Sequence, residues 1–100
     1  MAQHWISLSE ELGKGVAGKR LLAASDGGGK LFLIALAAGG GIPEHSAPRS
    51  ITVHCVEGEI DFAVEGVWRA MRPGDLVMLD AQTPHALRTV VGGAILLHVL

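Results

Sequence analysis

A chain of 100 residues holds one domain, able to bury roughly two-thirds of its unfolded surface around a single core, and leaves no room for a second. Its formal charge of −2, with eight Lys and Arg scattered along the sequence, offers no cationic face to neutralise phosphates, so no nucleic-acid partner is expected. With 49% apolar and only 18% charged residues, the chain is rich in apolar surface for a small monomer, which predicts a homodimer.

The single cysteine, Cys55, cannot form an internal disulfide. Glu10 and Glu11 interrupt the stretch where a signal peptide would need an apolar run, so a cytoplasmic location is expected. The longest strongly apolar run, Leu31 to Ala38, is far short of the ~20 residues that span a bilayer, and no membrane partner is expected.

Residues 1–29 read as an N-terminal arm and a first strand. Trp5 to Leu12 predicts a short helical turn capped by Ser7 or Ser9, and Lys19 to Ala24 a strand ending in the turn Asp26-Gly27-Gly28-Gly29. Leu31 to Leu36 is apolar on both parities, and its length and flanking glycines favour a strand covered on both sides. Gly39-Gly40-Gly41 is a bend before Pro43. Then Ile51, Val53 and Cys55 alternate with Thr52, His54 and Val56, and Ile60, Phe62 and Val64 with Asp61, Ala63 and Glu65, the period of two of half-buried strands. Glu57-Gly58, Glu65-Gly66 and Pro73-Gly74 are turns, Leu76 to Leu79 is a strand, and Ala94 to Leu100 closes the chain as another. Short strands at about ten-residue spacing with Gly or Pro at the corners predict an all-β sandwich or small barrel.

Two histidines occupy spaced positions within this pattern. Gly39 is followed after five residues by His45 and after a further twelve by Gly58; Gly74 is followed after ten by His85, in the dipeptide Pro84-His85. These frames resemble the two motifs of the cupin family, and from about residue 30 to residue 100 the chain is similar to a small single-domain cupin. The resemblance implies a jelly-roll barrel, and in that family a divalent transition metal (Fe, Ni, Cu, Zn or Mn) is usually held by three histidines and a glutamate, ligand types suited to such ions. Carried over by position, His45 and His85 are retained, whereas the second histidine falls on Ala47 and the glutamate on Ile51. In the second motif the usual proline and glycine fall on Asp80 and Gln82, and an asparagine on Thr89.

Other residues could complete a metal site. His98, within Leu96-Leu97-His98-Val99-Leu100, would need a polar partner if buried and is the first candidate to join His45 and His85. His54 is the second, although regular strand parity turns it away from Ile51, Val53 and Cys55. Glu44, adjacent to His45, is expected to be solvated, and Asp75 to cap its own turn. Ile51, Val53, Cys55, Phe62 and Val64 are expected to line a ligand pocket with Arg49 at its mouth, Cys55 serving as a small apolar filler rather than a nucleophile. The function expected is that of a small-molecule-binding protein of unassigned specificity with a His45/His85 site at the barrel mouth. The alternative is a metal-dependent enzyme of dioxygenase or isomerase type with a three-histidine centre. No catalytic residue is assigned by the sequence.

Overall fold

The computed structural model describes residues 3–100. One short helix, α1 (Leu8–Gly13), precedes nine strands: β1 (Gly18–Ala24), β2 (Lys30–Leu36), β3 (Gly41–His45), β4 (Ile51–Gly58), β5 (Ile60–Val64), β6 (Val67–Met71), β7 (Leu76–Leu79), β8 (His85–Arg88) and β9 (Gly93–Val99). They form a five-stranded sheet in the order β1-β2-β9-β4-β7 and a four-stranded sheet in the order β3-β8-β5-β6. All the paired strands are antiparallel. The two sheets face each other as a jelly-roll sandwich and are not joined edge to edge, so the expected barrel is open.

The predicted elements fall where residue chemistry places them. Ser7 is the N-cap of α1, its hydroxyl accepting from the Glu10 amide, which satisfies one of the orphan donors of a helix start. Glu65 and Gly66 both have positive φ, 51° and 81°, the two-residue hairpin geometry whose twist matches the strands it joins. Gly58 pairs with Gly93 across β4 and β9, and a Cβ there would collide with the Gly92 carbonyl, so the two backbones approach as only glycine allows. Asp75 caps its own turn, its carboxylate accepting from the Arg72 amide at 2.9 Å.

Three strands carry no clear sequence signal. In β6 four of the five residues are exposed, so it lacks the alternation that marks a half-buried strand. β3 and β8 are short, and β3 contains a proline, tolerated because β3 is an edge strand.

Between the sheets, Ile34, Ile51, Val53, Ile95 and Leu79 from the larger sheet meet Ile60, Phe62, Met71 and Leu87 from the smaller. Each fully buried large side chain stabilises the fold by about 1.5–3 kcal/mol. β2 is covered on both sides, as its apolar run predicts. Ile34 faces this core while Leu33, also buried, faces outward, where α1 and the segment after it bring Leu12 and Val16 beside it around one hollow. Arg20, the cross-strand neighbour of Leu33, ties the arm down by donating to the Glu11 carbonyl at 2.9 Å and the Glu11 carboxylate at 3.1 Å. No helix among the described residues is long and apolar enough to cross a membrane.

Candidate functional site

The geometry of the site begins with an irregularity in β3. Ile42 pairs with Leu87 and His45 with His85, so three steps along β3 match two along β8, which is a β-bulge at Pro43-Glu44. In a regular strand residues three apart point to opposite faces. The extra residue returns His45 to the face of Ile42, and both line one cavity of about 140 Å³ between the sheets. Glu44 is left exposed, as expected.

His85 reaches the same cavity from β8. Its ring is stacked on Phe62 at 5.9 Å between centroids and 17° between planes, and the residue is 5% exposed. The His45 ring lies 4.3 Å from it, tilted by 60°. His45 Nδ1 is 3.0 Å from the Pro43 carbonyl oxygen and His85 Nδ1 is 2.9 Å from that of Thr83. A carbonyl only accepts, which assigns a proton to Nδ1 of both rings; in the neutral tautomer Nε2 then carries a free lone pair. Two oriented acceptors are thus presented at a pocket whose other lining is almost entirely aliphatic or aromatic.

Of the pocket residues expected from the sequence, Ile51, Val53 and Phe62 line this cavity. Cys55 does not. It is completely buried below, its thiol directed towards the Met71 carbonyl, and burial raises its pKa above the ordinary value, so it is a packing residue. Val64 is partly buried against the core without touching the cavity. Arg49 is also absent from the lining, because its guanidinium lies over Gly28 in the turn between β1 and β2.

The structure does not bring His98 to the pair. His98 is exposed and pairs with Leu31 and Thr52, on the outer face of the larger sheet. Its neighbours Leu97 and Val99 are the residues that face inward; a histidine among leucines reveals nothing of parity, and this one meets water instead of a buried partner. His54 lies on the same outer face, since the register of β4 against β9 is unbroken from Ile51 to Cys55 and shifts only beyond it. Among the described residues no group of three or more His, Cys, Asp and Glu is placed to hold a metal ion. Where the family's glutamate would stand there is Ile51, 2% exposed within the apolar core, and the second histidine's place is taken by Ala47, packed against the same core. The residues present do not complete the usual ion's ligand set.

The lining also contains residues not anticipated from the sequence: Ile34, Ile42, Leu87, Ile95, Leu97 and, alone among them in carrying charge, Lys19. The inward alternation of Ile95 and Leu97 could have been read in the closing strand. Lys19 could not, since β1 has no clean alternation.

A family model for the cupin domain matches residues 32–99. The chain belongs to the cupin family. No curated protein matches it in sequence, but solved structures match it in fold. NMB1881 from Neisseria meningitidis superposes with a TM-score of 0.78 at 19% identity, over 97% of this cupin and 99% of that chain. The DMSP lyase DddQ from Ruegeria pomeroyi superposes with a TM-score of 0.73 at 27% identity, over 82% of this cupin and 45% of the lyase, so less than half of that enzyme has a counterpart here. KdgF from a Halomonas species gives 0.70 at 17% identity, over 80% of this chain and 73% of that one.

Proposed function

We propose that this cupin binds a small, largely apolar molecule between its sheets, with His45 and His85 accepting hydrogen bonds from the ligand's polar end. One observation carries the reading: both Nδ1 atoms are engaged by backbone carbonyls, which aims the remaining ring nitrogens of two adjacent imidazoles at a common apolar cavity. A cavity of about 140 Å³ matches the volume in which an apolar protein site accommodates a single benzene-sized ring. Apolar walls with a few convergent polar groups are the usual build of a ligand pocket.

The same orientation of the rings supports a second reading, a metal-dependent enzyme of dioxygenase or isomerase type. Metal-ligating histidines commonly donate the other ring N–H to a carbonyl in this way. That reading requires donors beyond His45 and His85, since two imidazoles hold a divalent ion weakly.

Calorimetric titration with phenol tests the first reading. Saturable binding in the wild-type protein, abolished in His85→Phe, is expected, because phenylalanine keeps the packing on Phe62 and removes the acceptor. Stoichiometric transition metal in untagged protein as purified would favour the enzyme instead.

A further inference from the structure

Lys19 stands out among the residues facing the cavity. It pairs with Ile34 across β1 and β2, and cross-strand partners share a face, so its side chain lies on the inner side of the larger sheet. The ammonium rests over the Phe32 ring, 4.3 Å from the centroid, where the electron-rich face holds it. Among the described residues no carboxylate lies within ion-pair distance of it; the other charges paired in the structure are Lys14 and Arg20 with Glu11, Arg72 with Glu59 and Arg88 with Asp61. A cation positioned by an aromatic ring at the edge of an apolar pocket, without a protein counter-ion, is complementary to an anion that arrives with the ligand.

Resting on the pocket reading above, we infer that the ligand is a small monocarboxylate with a hydroxyl at its other end: an apolar body between the sheets, the carboxylate on Lys19 Nζ, and the hydroxyl donating to the His45/His85 pair. The two polar groups belong to opposite sheets, Lys19 to the five-stranded and the histidines to the four-stranded sheet, so a molecule spanning the cavity meets both. The order of polarity is fixed by chemistry. The free ring nitrogens accept and therefore take the donor end, whereas the ammonium only donates and takes the anionic end. A second carboxylate at the histidine end would find both Nδ1–H donors already engaged by backbone carbonyls and aliphatic walls around it.

Calorimetric titration of the full chain with phenol, 4-hydroxybenzoate and its uncharged counterpart 4-hydroxybenzamide tests this assignment. Because Lys19 is exposed at the pocket edge, the acid is expected to bind roughly two- to fivefold more tightly than the amide, the increment of one solvent-screened ion pair, with a ratio that shrinks as salt is added. Lys19→Met should reduce the ratio to about one, while Lys14→Met, which alters the arm on the outer face, should preserve it. Equal affinity for acid and amide in the wild-type protein, or a ratio unchanged in Lys19→Met, overturns the carboxylate assignment while phenol binding still supports the pocket. Failure of all three probes to bind overturns the pocket and the carboxylate assignment together.

Discussion

His45 and His85 sit directly opposite each other across the β3–β8 ladder, with their ring centroids 4.3 Å apart, and their contributions to the fold are unequal. His85 is buried, stacked on Phe62 and hydrogen-bonded to Thr83; His45 is exposed at the mouth. His85→Ala should therefore cost about 2–4 kcal/mol, as expected for a large-to-small change in a packed site, and His45→Ala less than about 1 kcal/mol. Urea denaturation at constant m-value measures both. Loss of phenol binding in both variants, with only one destabilised, would separate the ligand role from the packing role.

The missing metal ligands yield a gain-of-function prediction. Ala47 and Ile51 occupy the second-histidine and glutamate positions, and Ile51 lines the cavity beside His45 and His85. Ala47→His combined with Ile51→Glu should bind Ni(II) or Zn(II) stoichiometrically and orders of magnitude more tightly than the wild-type protein, since it supplies four ligands in place of two. The metal-free double variant should be less stable than wild type, because the new carboxylate enters an apolar core, and metal should restore that stability. His54→Ala and His98→Ala, altered only on the outer face, should leave binding of both ion and phenol unchanged. Equilibrium dialysis and thermal melts read each outcome.

How much of this was legible depended on whether a residue's chemistry or its parity decided its place. Gly58, Gly66 and Pro73-Gly74 marked turns through backbone conformation alone, and the alternation of Ile51, Val53 and Cys55 gave the inward face of β4 without further help. The site was harder to read. His45 reaches the cavity through a bulge that no residue type announces, for Pro43 and Glu44 are equally at home in a loop. The apolar neighbours of His98 suggest burial, yet only Leu97 and Val99 face the core and His98 itself is exposed. Lys19, a charged residue in a weakly patterned strand, became visible only when β1 and β2 were in register.

A homodimer remains the expected assembly. Leu76 and Met78 are 62% and 69% exposed and share the outer face of β7, an edge strand, beside Thr52 and His54 of β4. Such surface is stabilised by covering it, and a free strand edge invites pairing. Sedimentation of the wild-type protein should give twice the chain mass, and Leu76→Lys with Met78→Lys should give the monomer without loss of β circular dichroism. A wild-type monomer at micromolar concentration would show that this surface stays uncovered.

Cys55 should be chemically silent in the folded protein. Burial raises its pKa from the ordinary 9.0, with minor contributions from Asp75 and Glu59, and the thiolate is the reactive species. A thiol-specific disulfide reagent at pH 8 should react only in denaturant. Cys55→Ala should cost about 1–2 kcal/mol through the void it leaves. Rapid labelling of native protein would mean that the sheets part readily around it.

Acid should release the N-terminal arm before it unfolds the sandwich. Glu11 accepts from Lys14 Nζ at 3.0 Å and from Arg20 Nη2 at 3.1 Å; the hydrogen bond from Lys14, supported by the charges of both partners, lowers its pKa below the ordinary 4.5. A carboxylate whose pKa is depressed by folding contributes stability that is present above its unfolded value and is lost as pH falls through the folded one. Docking of α1 should therefore be unaffected down to about pH 5 and weaken below 4.5, as protonation leaves Arg20 without its counter-ion. Hydrogen exchange of the α1 amides, corrected for intrinsic rates, should reveal this loss of protection while the amides of β4 and β9 stay protected. In Glu11→Gln the arm should be loosened already at neutral pH and respond little to further acidification over that range. Equal pH dependence of α1 protection in the variant and the wild type would show that another carboxylate holds the arm.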